Sequence, residues 1–316
     1  MEQRRSAMGS LENTPRALIV GGTGFIGSSL IRSLREDAYQ IDSLSTSRPT
    51  ESSRINGVRY LTCDLRERAR LEELLAGNRY DFVVNSGGYV DHSQFGSGGE
   101  EVFAAHFTGL INLVTAVEGS TLARFVQVGS SDEYGGQPAP QVETMREEPI
   151  TPYSLAKVAS THFLQMLART KNFPAVTVRL FLTYGPGQGD NRFIPQVINA
   201  CLRKETFPVS AGIQYRDFLH IDDTVQALRA ALHAEKCVGK VVNVASGIPV
   251  LISDVVELIR ERAGGGEPEF GKIPFRSGES MSLYADINRA KQLLSWNPTV
   301  TLEEGVQKMI EAVGAR

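Results

Sequence analysis

Cysteine is scarce: Cys63, Cys201 and Cys237 are the only three in 316 residues, and they fit neither a zinc-ligand spacing nor a paired disulfide framework. They read as reduced thiols of a cytoplasmic protein. No apolar stretch approaches the length of a membrane span, and Met1 to Pro15 carries Arg4 and Arg5 without a hydrophobic signal core. Residues 1–15 are therefore expected to form a disordered tail, and no membrane partner is expected. Neither charge sign dominates: 33 Lys and Arg stand against 36 Asp and Glu, for a net charge of −3. That balance gives no electrostatic reason to expect nucleic acid, so any phosphate must be held by local basic residues. Internal repeats, heptads and low-complexity segments are missing. The cluster Gly264-Gly265-Gly266 has no strand ahead of it and reads as a connecting turn. Apolar residues, by contrast, make up 41% of the chain, enough for one large α/β domain and a smaller lobe.

Near the N-terminus, Ala17-Leu18-Ile19-Val20 reads as a short buried strand that runs into Gly21-Gly22-Thr23-Gly24-Phe25-Ile26-Gly27. Phe25, Ile26, Leu30, Ile31 and Leu34 then supply the apolar face of a helix. Glycines at 21, 24 and 27 permit a tight turn, a close approach of backbone N–H groups to a pyrophosphate, and close packing of helix on strand. Strand, glycine turn and helix together predict a dinucleotide site at Gly21, Thr23, Gly24, Phe25, Ile26 and Gly27.

Strand-like and helix-like segments alternate over the first 180 residues. Strands are expected at 17–20, 40–44, 58–62, 82–85, 124–128 and 175–180, with helices at 71–76, 103–117 and 153–170. This predicts a Rossmann-like, doubly wound parallel sheet with helices on both faces and ligands at the carboxyl ends of the strands. Residues 16–185 are expected to form the dinucleotide-binding domain, rejoined by parts of 215–247. After Gly185-Pro186-Gly187 the pattern is less regular, and 186–316 is expected to be mainly a smaller C-terminal α/β substrate lobe. Helices are expected there at 194–203, 222–234, 253–263 and 302–313.

The residue that ends the second strand decides between a ribose hydroxyl and a 2′-phosphate, since a carboxylate accepts from the former and repels the latter. That residue is Ser45, followed by Thr46, Ser47 and Arg48, a set suited to a phosphate dianion. NADP(H) is the favoured cofactor. Asp42, three residues earlier, is the counter-candidate for NAD(H). Asp64 and Leu65 after the third strand and Gly87 after the fourth are expected beside the dinucleotide, although Asp64 could instead cap the next turn.

Tyr153 and Lys157 stand four residues apart in TPYSLAKVAST, so one helix face carries a phenol beside an ammonium. A cation one turn away favours the phenolate and makes the phenol a ready proton donor. Taken with the glycine turn, the strand end Val128-Gly129-Ser130-Ser131-Asp132-Glu133-Tyr134-Gly135 and the run Arg179-Leu180-Phe181-Leu182-Thr183-Tyr184-Gly185-Pro186, this pair resembles the extended short-chain dehydrogenase/reductase family. That family contains nucleotide-sugar epimerases, dehydratases and ketoreductases, and the resemblance runs from Ala17 to about Ile310.

The resemblance implies that Ser130 bonds the sugar oxygen, Tyr153 moves its proton, and Lys157 holds the nicotinamide ribose. Ser130 alone could equally be a turn hydroxyl capping local backbone. It also implies a nucleotide-diphosphate sugar as partner, with Arg216 and Arg276 on the diphosphate. Arg192 is a further candidate ligand, with a solvated surface arginine as the equal alternative. Ser131 and Asp132 fall where family dehydratases place their extra acids, and both count as substrate-binding candidates. The missing first acid and the shorter Asp132 speak against dehydration but leave it open: Asp132, or Glu133 one step further on, could still reach the substrate as an acid, and both could equally hydrogen-bond the next loop. Leu182 replaces an asparagine found in many members, and His106 replaces another; His106 reads as a structural histidine before a proton relay. Asn243 reads as structural. The expectation is an NADPH-dependent reductase of a 4-keto-6-deoxy nucleotide sugar, with a 4-epimerase or 4,6-dehydratase that recycles its cofactor as the alternative. A non-catalytic NADP(H)-binding regulator is more remote. A homodimer through a four-helix contact of 103–117 and 153–170 follows from the resemblance alone.

Overall fold

The computed structural model describes residues 14–117, 122–275 and 278–314. The expected disordered tail lies almost wholly outside the described residues, and Arg276 lies outside them too. By packing, the chain divides into two compact units. One takes the residues up to Val128 with Thr151–Thr177 and Ala231–Lys240, and the other takes Gly129–Ile150, Val178–Ala230 and Val241–Arg316.

The first elements are β1 (Arg16–Val20), α1 (Phe25–Glu36), β2 (Gln40–Ser45), β3 (Val58–Thr62), α2 (Arg68–Leu75) and β4 (Phe82–Asn85). There follow α3 (Gly99–Phe103), a π-turn at Ala104–Thr108, α4 (Gly109–Val117), β5 (Arg124–Ser130), α5 (Pro152–Lys171) and β6 (Ala175–Leu180). A seven-stranded sheet has the order Val241–Val244, β6, β5, β4, β1, β2, β3. β1 pairs in parallel with β2 on one side and β4 on the other, so the strand order reverses between β1 and β4. In open α/β sheets that reversal opens a crevice at the strands' carboxyl ends, and here Gly21 and Gly87 border it.

The periodicities behind these elements are visible in burial. Ala17, Leu18 and Ile19 are fully buried, as expected for a strand covered on both faces. In α1 the buried positions are Gly27, Leu30, Ile31 and Leu34, a single helical stripe. α5 starts at a capping box in which Thr151 and Ser154 bond reciprocally, with Pro152 in the first turn. It stops at Asn172, whose φ of 53° is a left-handed cap. Leu18, Leu44, Leu71, Val83, Leu110, Phe125 and Leu164 meet in the core of this unit.

The expected helix over 103–117 is interrupted. The backbone passes through the π-turn at Ala104–Thr108, which carries His106. Such single turns cluster at functional sites.

In the second unit, helices Phe193–Leu202, Ile252–Ala263 and Leu302–Gly314 close a core of Ile194, Ile198, Val255, Val256, Ile259, Val306 and Met309. A smaller cluster joins Tyr134, Phe181, Ala245, Ala285 and Ile287. Among the described residues no helix is long and apolar enough to cross a membrane.

Candidate active site

The turn after β1 is bare backbone. Gly21 has φ +75°, and a Cβ there would stand 2.8 Å from the Gly87 backbone. A Cβ on Gly27 would run into the Gly21 carbonyl. Gly24 caps α1 without any side-chain hydrogen bond, and the helix has no acidic residue in its first turn. Unfilled amides at a helix N-terminus suit an anion, and side chains are kept out by the close approach of Gly21, Gly27 and Gly87. The loop therefore fits the pyrophosphate of a dinucleotide. Phe25 and Ile26 begin the helix it feeds.

At the end of β2, the Ser45 hydroxyl accepts from the Thr23 N–H at 3.3 Å. Thr46, Ser47 and Arg48 are exposed beyond it. Asp42 lies in mid-strand and is buried. Arg16 donates to its carboxylate at 2.9 Å, Arg59 at 2.9 Å and the Tyr80 hydroxyl at 2.7 Å. Burial pushes this carboxyl up, but the hydrogen bonds from Arg59 and Tyr80 and the Arg16 charge outweigh it and hold Asp42 below the usual carboxylate range. A carboxylate committed in this way is not placed to receive a ribose hydroxyl. Asp64 caps its own turn: it accepts from the Arg66 backbone N–H at 2.9 Å and from the Arg66 guanidinium at 2.7 Å. The Leu65 carbonyl accepts from Asn112 at 2.9 Å, and Gly87 N–H donates to the Asn85 side chain at 3.2 Å.

Tyr153 and Lys157 are both buried on α5. The Lys157 ammonium lies 5.7 Å from the centre of the Tyr153 ring and donates to the Val128 carbonyl at 2.9 Å. That bond ties the lysine to β5 two residues before Ser130. His106 packs edge-on against Tyr153, with ring centres 5.0 Å apart at 81°. Its Nε2 lies 2.8 Å from the Tyr89 carbonyl, which can only accept, so Nε2 carries the proton. Burial, aided by the Lys157 charge, pushes the His106 imidazole down to about 3 against the opposing pull of the Tyr89 bond. His106 is thus neutral near pH 7. The exposed His92 ring lies 6.0 Å from Tyr153, a neighbour that the sequence pattern did not flag.

In the second unit, Ser130 caps a short turn, Ser131–Tyr134, in a capping box: its hydroxyl accepts from Asp132 N–H at 3.1 Å, and its own N–H donates to Glu133 Oε1 at 2.9 Å. Ser131 is buried and Asp132 half-buried. Glu133 is fully buried, and its Oε2 accepts from Arg179 at 2.8 Å. Arg179 also reaches Glu147 at 2.6 Å and lies 4.6 Å above the Tyr134 ring. Burial works against the Arg179 charge, but Glu133 and the other partners outweigh it and keep the guanidinium protonated. No local spacing signals this pair, whose members stand 46 residues apart.

Arg216 is largely buried and donates to Glu279 at 2.8 Å. Arg192 is exposed at the start of helix Phe193–Leu202. Leu182 is 37% exposed. Asn243 is buried and bonds the Tyr134 hydroxyl at 2.7 Å and the Gln141 carbonyl at 3.0 Å.

The sequence model of the NAD dependent epimerase/dehydratase family matches residues 17–245. A dTDP-glucose 4,6-dehydratase of Neisseria meningitidis is 28% identical, over 94% of this chain and 92% of that protein. A UDP-glucose 4-epimerase of Thermotoga maritima, solved with UDP-glucose, has the same fold: TM-score 0.87 at 23% identity, over 95% of this chain and 99% of that one. MoeE5, solved with UDP-glucuronic acid and NAD, gives a TM-score of 0.85 at 26% identity, over the same shares of the two chains.

Proposed function

The chain belongs to the NAD dependent epimerase/dehydratase family, and on that premise we propose that it is a nucleotide-sugar 4-epimerase that keeps its dinucleotide from cycle to cycle. When bound, the nicotinamide supplies the hydride acceptor and donor. Everything else falls to the chain. Tyr153 takes the proton of the sugar hydroxyl as the carbonyl forms and returns it as the carbonyl is reduced from the other face. Lys157, anchored on the Val128 carbonyl, holds the nicotinamide ribose and keeps a positive charge beside the phenol. Ser130 donates its hydroxyl proton to the sugar oxygen while accepting from Asp132 N–H. Arg216, and Arg276 by sequence, hold the diphosphate.

The observation that carries this reading over dehydration is the state of Glu133. Removing water across C5 and C6 requires an acid and a base at the sugar. Ser131 offers no carboxyl, and Glu133 is buried under Arg179 with both oxygens engaged. Asp132 is the one carboxylate of that turn outside the buried cluster, which leaves half of the required pair. The support for a retained NAD(H) is MoeE5, which was solved with that cofactor and a UDP-sugar.

A second reading, NADPH-dependent reduction of a 4-keto-6-deoxy nucleotide sugar, is favoured by one observation. Asp42 is withdrawn from the end of β2, where Ser45, Thr46, Ser47 and Arg48 could receive a 2′-phosphate. The proposal also keeps a homodimer, for which α5 offers the exposed Leu155 and Met166.

The test is to incubate the protein with UDP-glucose, UDP-glucuronic acid and dTDP-glucose, and separately with NADPH and a dTDP-linked 4-keto-6-deoxysugar, following nicotinamide absorbance and the sugar products by NMR. The proposal expects a C4 epimer with no net change of absorbance. Stoichiometric NADPH loss with the ketosugar would install the second reading, and a 4-keto-6-deoxy product would install dehydration.

A further inference from the structure

We propose that Glu133 and Arg179 are positioning residues that aim Ser130 at the sugar oxygen, the carboxylate of Glu133 acting as a rigid bracket between a buried guanidinium and the Ser130 backbone. The inference deepens the proposed function and rests on the role given there to Ser130.

The bracket is built from four bonds within one unit. Glu133 uses one oxygen on Ser130 N–H at 2.9 Å and the other on Arg179 at 2.8 Å. Arg179 is fixed in turn by Glu147 at 2.6 Å and by the Tyr134 ring beneath it, 4.6 Å away. The fourth bond runs from Asp132 N–H to the Ser130 hydroxyl at 3.1 Å, which sets the side-chain rotamer that presents the hydroxyl proton. The side chains of both Glu133 and Arg179 have no solvent exposure. A capping box needs only the first and fourth of these bonds, and exposed capping boxes manage with a solvated carboxylate. Burying the carboxylate and matching it with a guanidinium costs desolvation on both sides, which a mere turn would not require. Rigidity at a reacting hydroxyl does require it, because a displacement of ~1 Å can slow a reaction by ~10²-fold.

The discriminating substitution is Glu133→Gln. The carboxylate presents two acceptor oxygens, whereas the amide has one, so glutamine can serve Ser130 or Arg179 but not both. Four proteins are compared: the parent, Ser130→Ala, Glu133→Gln and the double variant. Each is assayed for turnover of UDP-glucose, UDP-glucuronic acid and dTDP-glucose, and for exchange of the Ser130 amide hydrogen by NMR. The expected result is a fall in kcat of ~10- to 100-fold for Glu133→Gln, with KM changed less than about 2-fold and faster exchange at the Ser130 amide. The double variant is expected to be no slower than Ser130→Ala by more than about 2-fold, because both changes act through one hydroxyl.

Unchanged kcat in Glu133→Gln beside a slow Ser130→Ala overturns the bracket alone, as does a double variant whose losses multiply. Unchanged kcat in Ser130→Ala overturns the catalytic role of Ser130 and the bracket with it. Should the parent turn over none of the three sugars, unaltered amide exchange in Glu133→Gln still refutes the bracket. If Glu133→Gln does not fold, Arg179→Lys replaces it: the ammonium keeps the charge but loses the fork, so faster Ser130 amide exchange is expected and unaltered exchange overturns the proposal.

Discussion

His106 gives a sharp test of the electrostatics around Tyr153. Its imidazole is buried against the tyrosine ring, faces the Lys157 charge and is held down to about 3 from the ordinary 6.5. The unfolded chain therefore takes up this proton first as the pH falls. The stabilisation is complete above pH 6.5, the unfolded value, and drains away as the pH drops toward the folded value of about 3. Between about pH 8 and about pH 5 the unfolded imidazole becomes almost fully charged while the folded one does not, which amounts to about 2 kcal/mol of lost stability from this residue alone. The perturbation is His106→Gln, whose Nε2 keeps a donor for the Tyr89 carbonyl but has nothing to titrate. Urea unfolding of both proteins at the two pH values should show the parent losing about 2 kcal/mol more than the variant on acidification. Parallel losses would mean that His106 charges in the folded state, and the neutral, desolvated ring described here would be wrong.

Tyr153→Phe should lower turnover by ~10²–10⁴-fold while dinucleotide still binds, measured by turnover assays and isothermal titration of the cofactor; turnover at the parent rate would remove Tyr153 from proton transfer. Gly27→Ala places a methyl group against the Gly21 carbonyl and should weaken dinucleotide binding by more than about 10-fold while a far-UV spectrum stays unchanged; retained affinity would show that the loop does not clasp the pyrophosphate. Asp42→Asn should cost about 1–3 kcal/mol of stability, because the buried Tyr80 hydroxyl and the two half-exposed guanidiniums of Arg16 and Arg59 are left with one acceptor oxygen, while solvent takes up part of the two charges. The same variant should leave the ratio of NAD to NADP affinity unchanged, and a shift in that ratio on titration would return Asp42 to the ribose.

Much of the framework follows from residues close together in the chain. The strands Val58–Thr62, Phe82–Asn85 and Ala175–Leu180 fall at the bounds expected from their apolar runs, and α5 falls within a residue of its expected bounds. The glycine turn and the Tyr153/Lys157 face were legible for the same reason: helix and strand periodicity is set by hydrogen bonds spanning a few residues, so the local pattern fixes which side chains share a face. Three features lay beyond that reach. The π-turn that carries His106 breaks a continuous helical pattern without a proline or glycine inside it. Asp42 looked like a free strand-end acid until β3 supplied Arg59, 17 residues away, and turned it into the buried centre of an ion cluster. Glu133 looked like a possible catalytic acid until β6 supplied Arg179. Whether a carboxylate is a reagent or a strut depends on which cation its neighbours deliver and how much water they exclude. Those are properties of strands that become adjacent only in the folded sheet.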